Sequence, residues 1–279
     1  MRRLLAAGAA LLSIATILAA AMLWQARSAP RVRETTVMLP DWPAGARPVT
    51  VALLSDLHVG SLSMDAARLT RIVAQVNALH PDLVVLAGDF IAGHAPVDAD
   101  ATPQLAPLAG LTVPLGTVAV LGNHDYWTDP ARVAATLRRA GVTLLANKAV
   151  KRGPLVIGGI DDEPTGHDRM DDTVAAMRAL PGAKLLLGHS PDSAPALPAD
   201  IALMLAGHTH CGQIVLPFAG AIHTASHYGR RYACGVVREG ARTVVIGAGL
   251  GTSVLPLRFG APPDLWLVRL RGPVSVSRS

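Results

Sequence analysis

Hydrophobic and polar positions divide this chain into two regimes. From Leu4 to Trp24 the sequence "LLAAGAALLSIATILAAAMLW" carries no charge at all. About 21 residues at ~1.5 Å rise reach ~31 Å, the thickness of a bilayer core, so the pattern predicts a membrane-spanning helix. Residues 25–47 then mix prolines with polar positions and hold no sustained period, as in a linker running into an edge strand. From Pro48 onward short apolar runs recur: "TVALLSD", "DLVVLAGD", "TVAVLGNHD", "PLVIGGIDD", "AKLLLGHS", "IALMLAGHTH", "TVVIGAGLG" and "LWLVRL". Continuous apolar runs of this length predict strands buried on both faces.

Helical periods lie between several of these runs. Met64 to Leu79 places Leu69, Ile72, Val73 and Val76 on one face, Pro130 to Ala140 follows the N-cap candidate Asp129, and Asp171 to Leu180 is another helical pattern. Strands and helices alternate early, whereas later strands follow one another closely. That order predicts a layered α/β sandwich forming one catalytic domain over residues 48–279, after a transmembrane anchor or signal segment (1–24) and the linker (25–47).

With 51% hydrophobic and 16% charged residues the chain is not disordered, and a membrane-associated enzyme suits it as well as a soluble one. The net charge of +5 comes mostly from scattered arginines without a block of like charge, so no nucleic acid partner is expected. A mildly basic domain is favoured beside an anionic membrane surface. Arg2 and Arg3 precede the apolar segment, Ala19-Ala20-Ala21 offers a cleavage site, and Arg27, Arg31 and Arg33 blur the charge bias that sets orientation. The expectation is an uncleaved anchor with the catalytic domain outside the cytoplasm, an exported soluble form being the alternative. Cys211 and Cys234 permit one disulfide and require none; Cys211, beside two histidines, is also a weak candidate for a soft metal ligand.

Nearly every apolar run ends in a small residue followed by a carboxylate, an asparagine or a histidine: Asp56 and His58, Asp89, Asn123 and His124, His189, His208 and His210. Groups just beyond strand C-termini gather in one crevice of an α/β sheet. In extended backbone the i, i+2 spacing of Asp56/His58 and His208/His210 projects both side chains to one side. Imidazoles with carboxylates and an amide form a mixed oxygen and nitrogen donor set suited to divalent transition metals. Gly88, Gly122, Gly188 and Gly207 allow sharp turns and close backbone approach at the same strand ends.

The ordered set "SDLH", "GDF", "GNHD", "GH" and "GHTH" resembles the calcineurin-like metallophosphoesterase superfamily, from about residue 50 to 255. "GHTHCGQI", "GAGLGTSVLPLRFGAPPDLWLVRL" and the apolar leader resemble, within it, the membrane-associated YkuE/YaeI-type phosphodiesterase branch, where glycine is commoner than Cys211. The resemblance implies a four-layer α/β/β/α sandwich. It further implies that Asp56, His58 and His210 bind one divalent ion (Mn, Fe or Zn), that Asn123, His189 and His208 bind another, and that Asp89 bridges them. A shared water acidified by both ions then attacks phosphorus. His124 corresponds to the family histidine that contacts phosphate and protonates the leaving oxygen, and Asp125 is expected to orient its ring, or else to cap the loop.

His80, His94, His167, His223 and His227 fall outside the signature; His227 with Arg230 and Arg231 offers a second phosphate or head-group site, and Asp161 and Asp162 follow a strand near the crevice. The expected substrate is a phosphate ester or phosphodiester, with a membrane phospholipid favoured by the leader and the composition. A lipid-linked diphosphate such as a UDP-sugar lipid is the close alternative and would suit a cytoplasmic domain. A nuclease and a non-catalytic metal-binding protein are more distant ones.

Overall fold

A computed structural model of the protein describes residues 1–93 and 100–273. The first half of the chain forms α1 (Arg2–Arg27), β1 (Arg31–Met38), β2 (Val49–Leu54), α2 (Ala66–Ala78), β3 (Leu83–Ala87), β4 (Thr117–Val120), α3 (Asn123–Thr128), α4 (Pro130–Arg139) and β5 (Thr143–Leu144). There follow β6 (Lys148–Arg152), β7 (Leu155–Gly159), α5 (Met170–Arg178), β8 (Ala183–Leu187), β9 (Leu203–Ala206), β10 (Val215–Leu216), β11 (Gly220–Ala221), β12 (Gly235–Glu239), β13 (Arg242–Ile246) and β14 (Asp264–Arg271).

Two six-stranded sheets result, ordered β1-β14-β2-β3-β4-β5 and β12-β13-β9-β8-β7-β6. The central strands run parallel, β2 to β3 to β4 in one sheet and β7 to β8 to β9 to β13 in the other. Their apolar runs alternate between two buried environments. Val51, Leu53 and Val85 of the first sheet pack against Leu185, Leu187 and Leu205 of the second, forming a core between the sheets. Ala52, Leu54, Val84 and Leu86 point the other way, onto Leu69, Ile72, Val76 and Leu137 of α2 and α4. On the far side Val156, Leu186 and Met204 meet Val174 and Met177 of α5. The architecture is the expected α/β/β/α sandwich, and burial on both faces is why its strands read as unbroken apolar runs.

Helix boundaries follow their caps. Asp65 accepts the Arg68 N–H at 2.7 Å and starts α2, and Asp129 accepts the Arg132 N–H at 2.9 Å and starts α4. The segment 25–47 contributes more than a connection: β1 pairs with β14 along eight positions, from Arg31↔Asp264 to Met38↔Arg271. Its half-exposed, alternating sequence "RVRETTVM" suits a sheet edge. Helix α1 is long and apolar enough to cross a membrane, and Ala26 is its buried residue.

Leu187 is fully buried between the sheets, two residues before His189. Leu187→Ala is expected to cost about 2–5 kcal/mol in denaturant unfolding of the detergent-solubilised chain. A loss below about 1 kcal/mol would contradict this packing.

Candidate metal centre

Strands β2, β3, β4, β8 and β9 end side by side, and the polar residues singled out in the sequence sit immediately past those ends. They are not extended there. Asp56, His58, Asp89, His208 and His210 all take positive φ, between 47° and 70°. Each such conformation costs a non-glycine residue of order 1–3 kcal/mol, the pattern expected where a site over-determines its backbone. The chain turns away from the sheet at each of these points, so the i, i+2 pairs converge through left-handed turns and not through a strand pleat.

Two clusters form around one carboxylate. In the first, His58 Nε2 lies 3.1 Å from His210 Nε2 and 3.5 Å from Asp89 Oδ2, while His210 Nε2 is 3.6 Å from Asp56 Oδ1. In the second, His189 Nε2 lies 3.0 Å from both Asn123 Oδ1 and His208 Nδ1, and 3.4 Å from Asp89 Oδ2. Ligands ~2.1 Å from a common ion at right angles stand ~3 Å apart, so these separations are those of coordination edges. All seven predicted ligand residues are therefore brought together. His208 and His210, two positions apart in sequence, face different clusters.

Hydrogen bonds outside the clusters fix which atoms point inward. Asp89 Oδ1 accepts the His124 backbone N–H at 2.9 Å, which leaves Oδ2 to face both clusters. His189 Nδ1 bonds the Ala87 carbonyl at 2.8 Å, aiming Nε2 at Asp89. The His208 N–H donates to both Asp56 oxygens, at 3.0 and 3.2 Å.

Burial dominates the electrostatics. It pushes His58 and His208 down to about 3 and His210 well below its ordinary range, so these imidazoles present lone pairs. Burial also raises the Asp56 carboxyl to about 6. Burial opposes ionisation of Asp89 as well, but His189 overcomes it and holds Asp89 well below the carboxylate range. The same pairing outweighs the burial of His189 and raises that imidazole well above its usual value.

His124 faces the clusters from α3, its Nε2 4.0 Å from Asp89 Oδ2 and 3.3 Å from Ser253 Oγ. Its Nδ1–H donates to the Gly93 carbonyl. The expected bond from Asp125 to that ring is not made. Asp125 instead accepts backbone N–H groups from Gly122 at 3.0 Å, Phe90 at 2.8 Å and Ile91 at 3.2 Å, tying the loops that carry Asp89 and Asn123 together. It caps the entry of α3 through the Gly122 N–H and, because β3 ends beside β4, also reaches the Phe90 and Ile91 N–H groups of the neighbouring loop.

Other expectations resolve similarly. Cys211 is disulfide-bonded to Cys234 with a Cα separation of 4.7 Å, which removes it as a metal ligand and staples the segment after His210. Arg231 pairs with Glu239, Arg230 bonds the Ala219 and Ala221 carbonyls, and the backbone N–H of His227 donates to Asp192 at 2.7 Å. Asp161 accepts the Tyr126 hydroxyl at 2.8 Å and Asp162 is buried behind His189. His80 is exposed, His167 stacks on Tyr126 with centroids 4.0 Å apart, and His94 lies outside the described residues.

The clusters open into a cleft of about 380 Å³ whose walls include Trp127, Gln213, Ile222, His223, Val254 and Leu255. Of these, Trp127 and Ile222 were not singled out in the sequence, whereas Gln213, Val254 and Leu255, with the neighbouring Ser253, fall in the stretches that resemble the YkuE/YaeI-type branch. Trp127 was recoverable, being one helical turn from His124. The others lie on loops whose path depends on tertiary packing.

Gly88 has φ 80°, and a Cβ there would stand 2.7 Å from His189 Nδ1 and 2.8 Å from the Gly122 nitrogen. Gly88→Ala is expected to destabilise the protein by about 1–3 kcal/mol, read by chemical denaturation. Wild-type stability in that variant would refute the close approach of β3 and β4 ends.

Three relatives place this geometry. The calcineurin-like phosphoesterase family model matches residues 49–212. An uncharacterized metallophosphoesterase of Helicobacter pylori is 30% identical over 248 residues, covering 86% of this chain and 64% of that protein. Bacillus subtilis YkuE, also named an uncharacterized metallophosphoesterase, is 30% identical over 246 residues, covering 85% and 84%. A Bos taurus transmembrane protein with metallophosphoesterase domain is 30% identical over 274 residues, covering 90% of this chain and 60% of that protein. The chain therefore spans less than two thirds of the Helicobacter and bovine proteins. With its ligand-bearing strand ends inside the matched span, the chain belongs to the calcineurin-like metallophosphoesterases, metal-dependent hydrolases of phosphoesters.

Proposed function

We propose that the protein is a membrane-anchored, dinuclear phosphoesterase whose substrate is a phosphate ester or phosphodiester of a membrane lipid. One observation carries the dinuclear reading: Asp89 Oδ2 stands 3.5 Å from His58 Nε2 of one cluster and 3.4 Å from His189 Nε2 of the other. Asp56, His58 and His210 would hold one divalent ion and Asn123, His189 and His208 the other, with Asp89 available to both. The donor set fits Mn, Fe or Zn: neutral imidazoles, carboxylates and one amide, and no thiolate. Two such ions, when bound, supply Lewis-acid polarisation of a phosphoryl group and a water acidified for attack.

The chain's own residues do the rest. His124 keeps its Nδ1–H on the Gly93 carbonyl, so Nε2, the ring edge facing Asp89 and the cleft, is the atom at which the ring takes up or releases a second proton. That Nε2 proton goes to the leaving oxygen. Trp127, its ring centroid 4.9 Å from that of His124, and the apolar cleft wall limit water around the transfer. Asp125 positions both loops without touching substrate.

The lipid reading is supported by the apolar walls of the cleft, by α1, and by the bovine relative's description as a transmembrane protein. The Cys211–Cys234 disulfide supports a catalytic domain on the oxidising side, outside the cytoplasm.

The test is hydrolysis of bis-p-nitrophenyl phosphate and p-nitrophenyl phosphate by the full chain in detergent, metal-stripped and then reloaded with Mn or Zn. Turnover should require metal. His124→Ala is expected to lose about 10²–10⁴-fold in kcat while retaining its ions by elemental analysis. Asp89→Asn should lose activity together with one or both ions, and wild-type turnover in it would defeat the mechanism. Loading displaces the raised His189 proton, and below pH ~6 that of Asp56 too. Apparent metal affinity should therefore fall roughly tenfold per pH unit below neutrality, steepening at acid pH. A pH-independent affinity in titration calorimetry would contradict the assigned charge states.

A further inference from the structure

Helix α1 does not leave the domain at an arbitrary place. The Arg258 N–H donates to the Met22 carbonyl at 3.1 Å, and the Arg27 guanidinium bonds the Leu62 carbonyl and, at 3.1 Å, Asp65. Arg68 reaches the Ser28 carbonyl at 3.0 Å. The two loops gripping the helix end, 61–65 and 251–258, also carry exposed apolar side chains: Leu62 is 70% exposed, Val254 80% and Leu255 50%. They border the clusters directly. Leu62, Val254 and Leu255 line a groove with His124, and Val254 and Leu255 share the metal cleft with Ile222, itself 66% exposed. Gln213 ties the hairpin bearing Ile222 to this loop by accepting the Ser253 N–H at 3.0 Å and donating to the Leu255 carbonyl at 2.9 Å.

Depth follows from the helix. The uncharged segment ends at Trp24, a residue that settles at the interface between headgroups and acyl chains. Met22 precedes it by two residues, ~3 Å nearer the hydrocarbon at helical rise. A loop bonded to the Met22 carbonyl is therefore held at interface level, and Val254 and Leu255 lie four and three residues from that bond. A contiguous apolar rim around a cleft with apolar walls is a surface that water does not favour.

We propose that the rim formed by Leu62, Ile222, Val254 and Leu255 docks on the outer boundary of the same bilayer that α1 crosses, so that the metal cleft opens onto the membrane interface. The inference rests on α1 being a membrane anchor, and it deepens the lipid reading. A phosphoester there is reached by lateral movement of the lipid, its acyl chains remaining in the bilayer while the phosphate enters between His124 and the two clusters. A soluble protein partner or a second copy of the chain would leave the rim's attachment to the helix end without a role.

The full chain, reconstituted in phosphatidylcholine and phosphatidylglycerol vesicles, tests this. Cys211 and Cys234 are joined, so a single introduced cysteine takes a nitroxide at position 11, 62, 254 or 238. Labels at 11, 62 and 254 should favour collision with oxygen over a water-soluble nickel complex, by on the order of tenfold relative to 238 on exposed β12. If 11 is shielded while 62 and 254 behave like 238, the anchor stands and the docking surface is overturned. If 62 and 254 are shielded from both reagents, a protein covers the rim and the proposal also fails. If 11 itself meets nickel freely, the anchor reading fails and takes the surface with it. Every readout is independent of which phosphoester is hydrolysed.

Discussion

The structure depends on gathering charge where water is excluded. Asp89 is buried, carries its charge against the burial that opposes it, and faces ring nitrogens from two directions. A carboxylate in such a place needs cations, and its pairing with His189 raises that imidazole well above its usual value. Divalent ions satisfy the same requirement more fully. The remaining imidazoles are kept neutral by their own burial, so they are ready to donate lone pairs without first losing protons.

Holding that arrangement falls to the backbone. Five of the ligand residues are in left-handed conformations, and Asp125 gives its carboxylate to three backbone N–H groups. Such strain persists because two apolar sheets, packed on one another and covered by helices, fix the strand ends before the loops begin. Arg258 adds a support from below. Fully buried, it donates to the carbonyls of Ala248, Ala261 and Gly251 and stands 3.3 Å from His210 Nδ1, while its own N–H holds the end of α1. One residue thus touches the candidate metal cluster, the loop after β13 and the end of α1.

Much of this was written in the order of residues. Eight inner strands announced themselves because burial on two faces demands unbroken apolar runs, whereas β5, β6 and β12 are half-exposed and carry none; α2 and α4 were legible because their caps are local. The ligands were legible because a strand end is a fixed address: a polar residue directly after an apolar run has nowhere to go except the sheet's edge. Their partition between two clusters, however, came from resemblance to a family. Spacing alone leaves His208 and His210 on one side, whereas the left-handed turn separates them.

Sequence by itself determined the layers, the apolar helix and the seven donors, since those depend on hydropathy and on chemistry carried by single residues. Tertiary structure decided what depends on distance between segments far apart in the chain. Asp125 turned inward to backbone N–H groups because β3 and β4 end side by side, and Cys211 found Cys234 across a 23-residue separation. The apolar rim, assembled from residues near 62, 222 and 254, exists only because three loops meet beside the end of α1. No local pattern encodes such a meeting, because loops carry no periodicity and take their course from what they pack against.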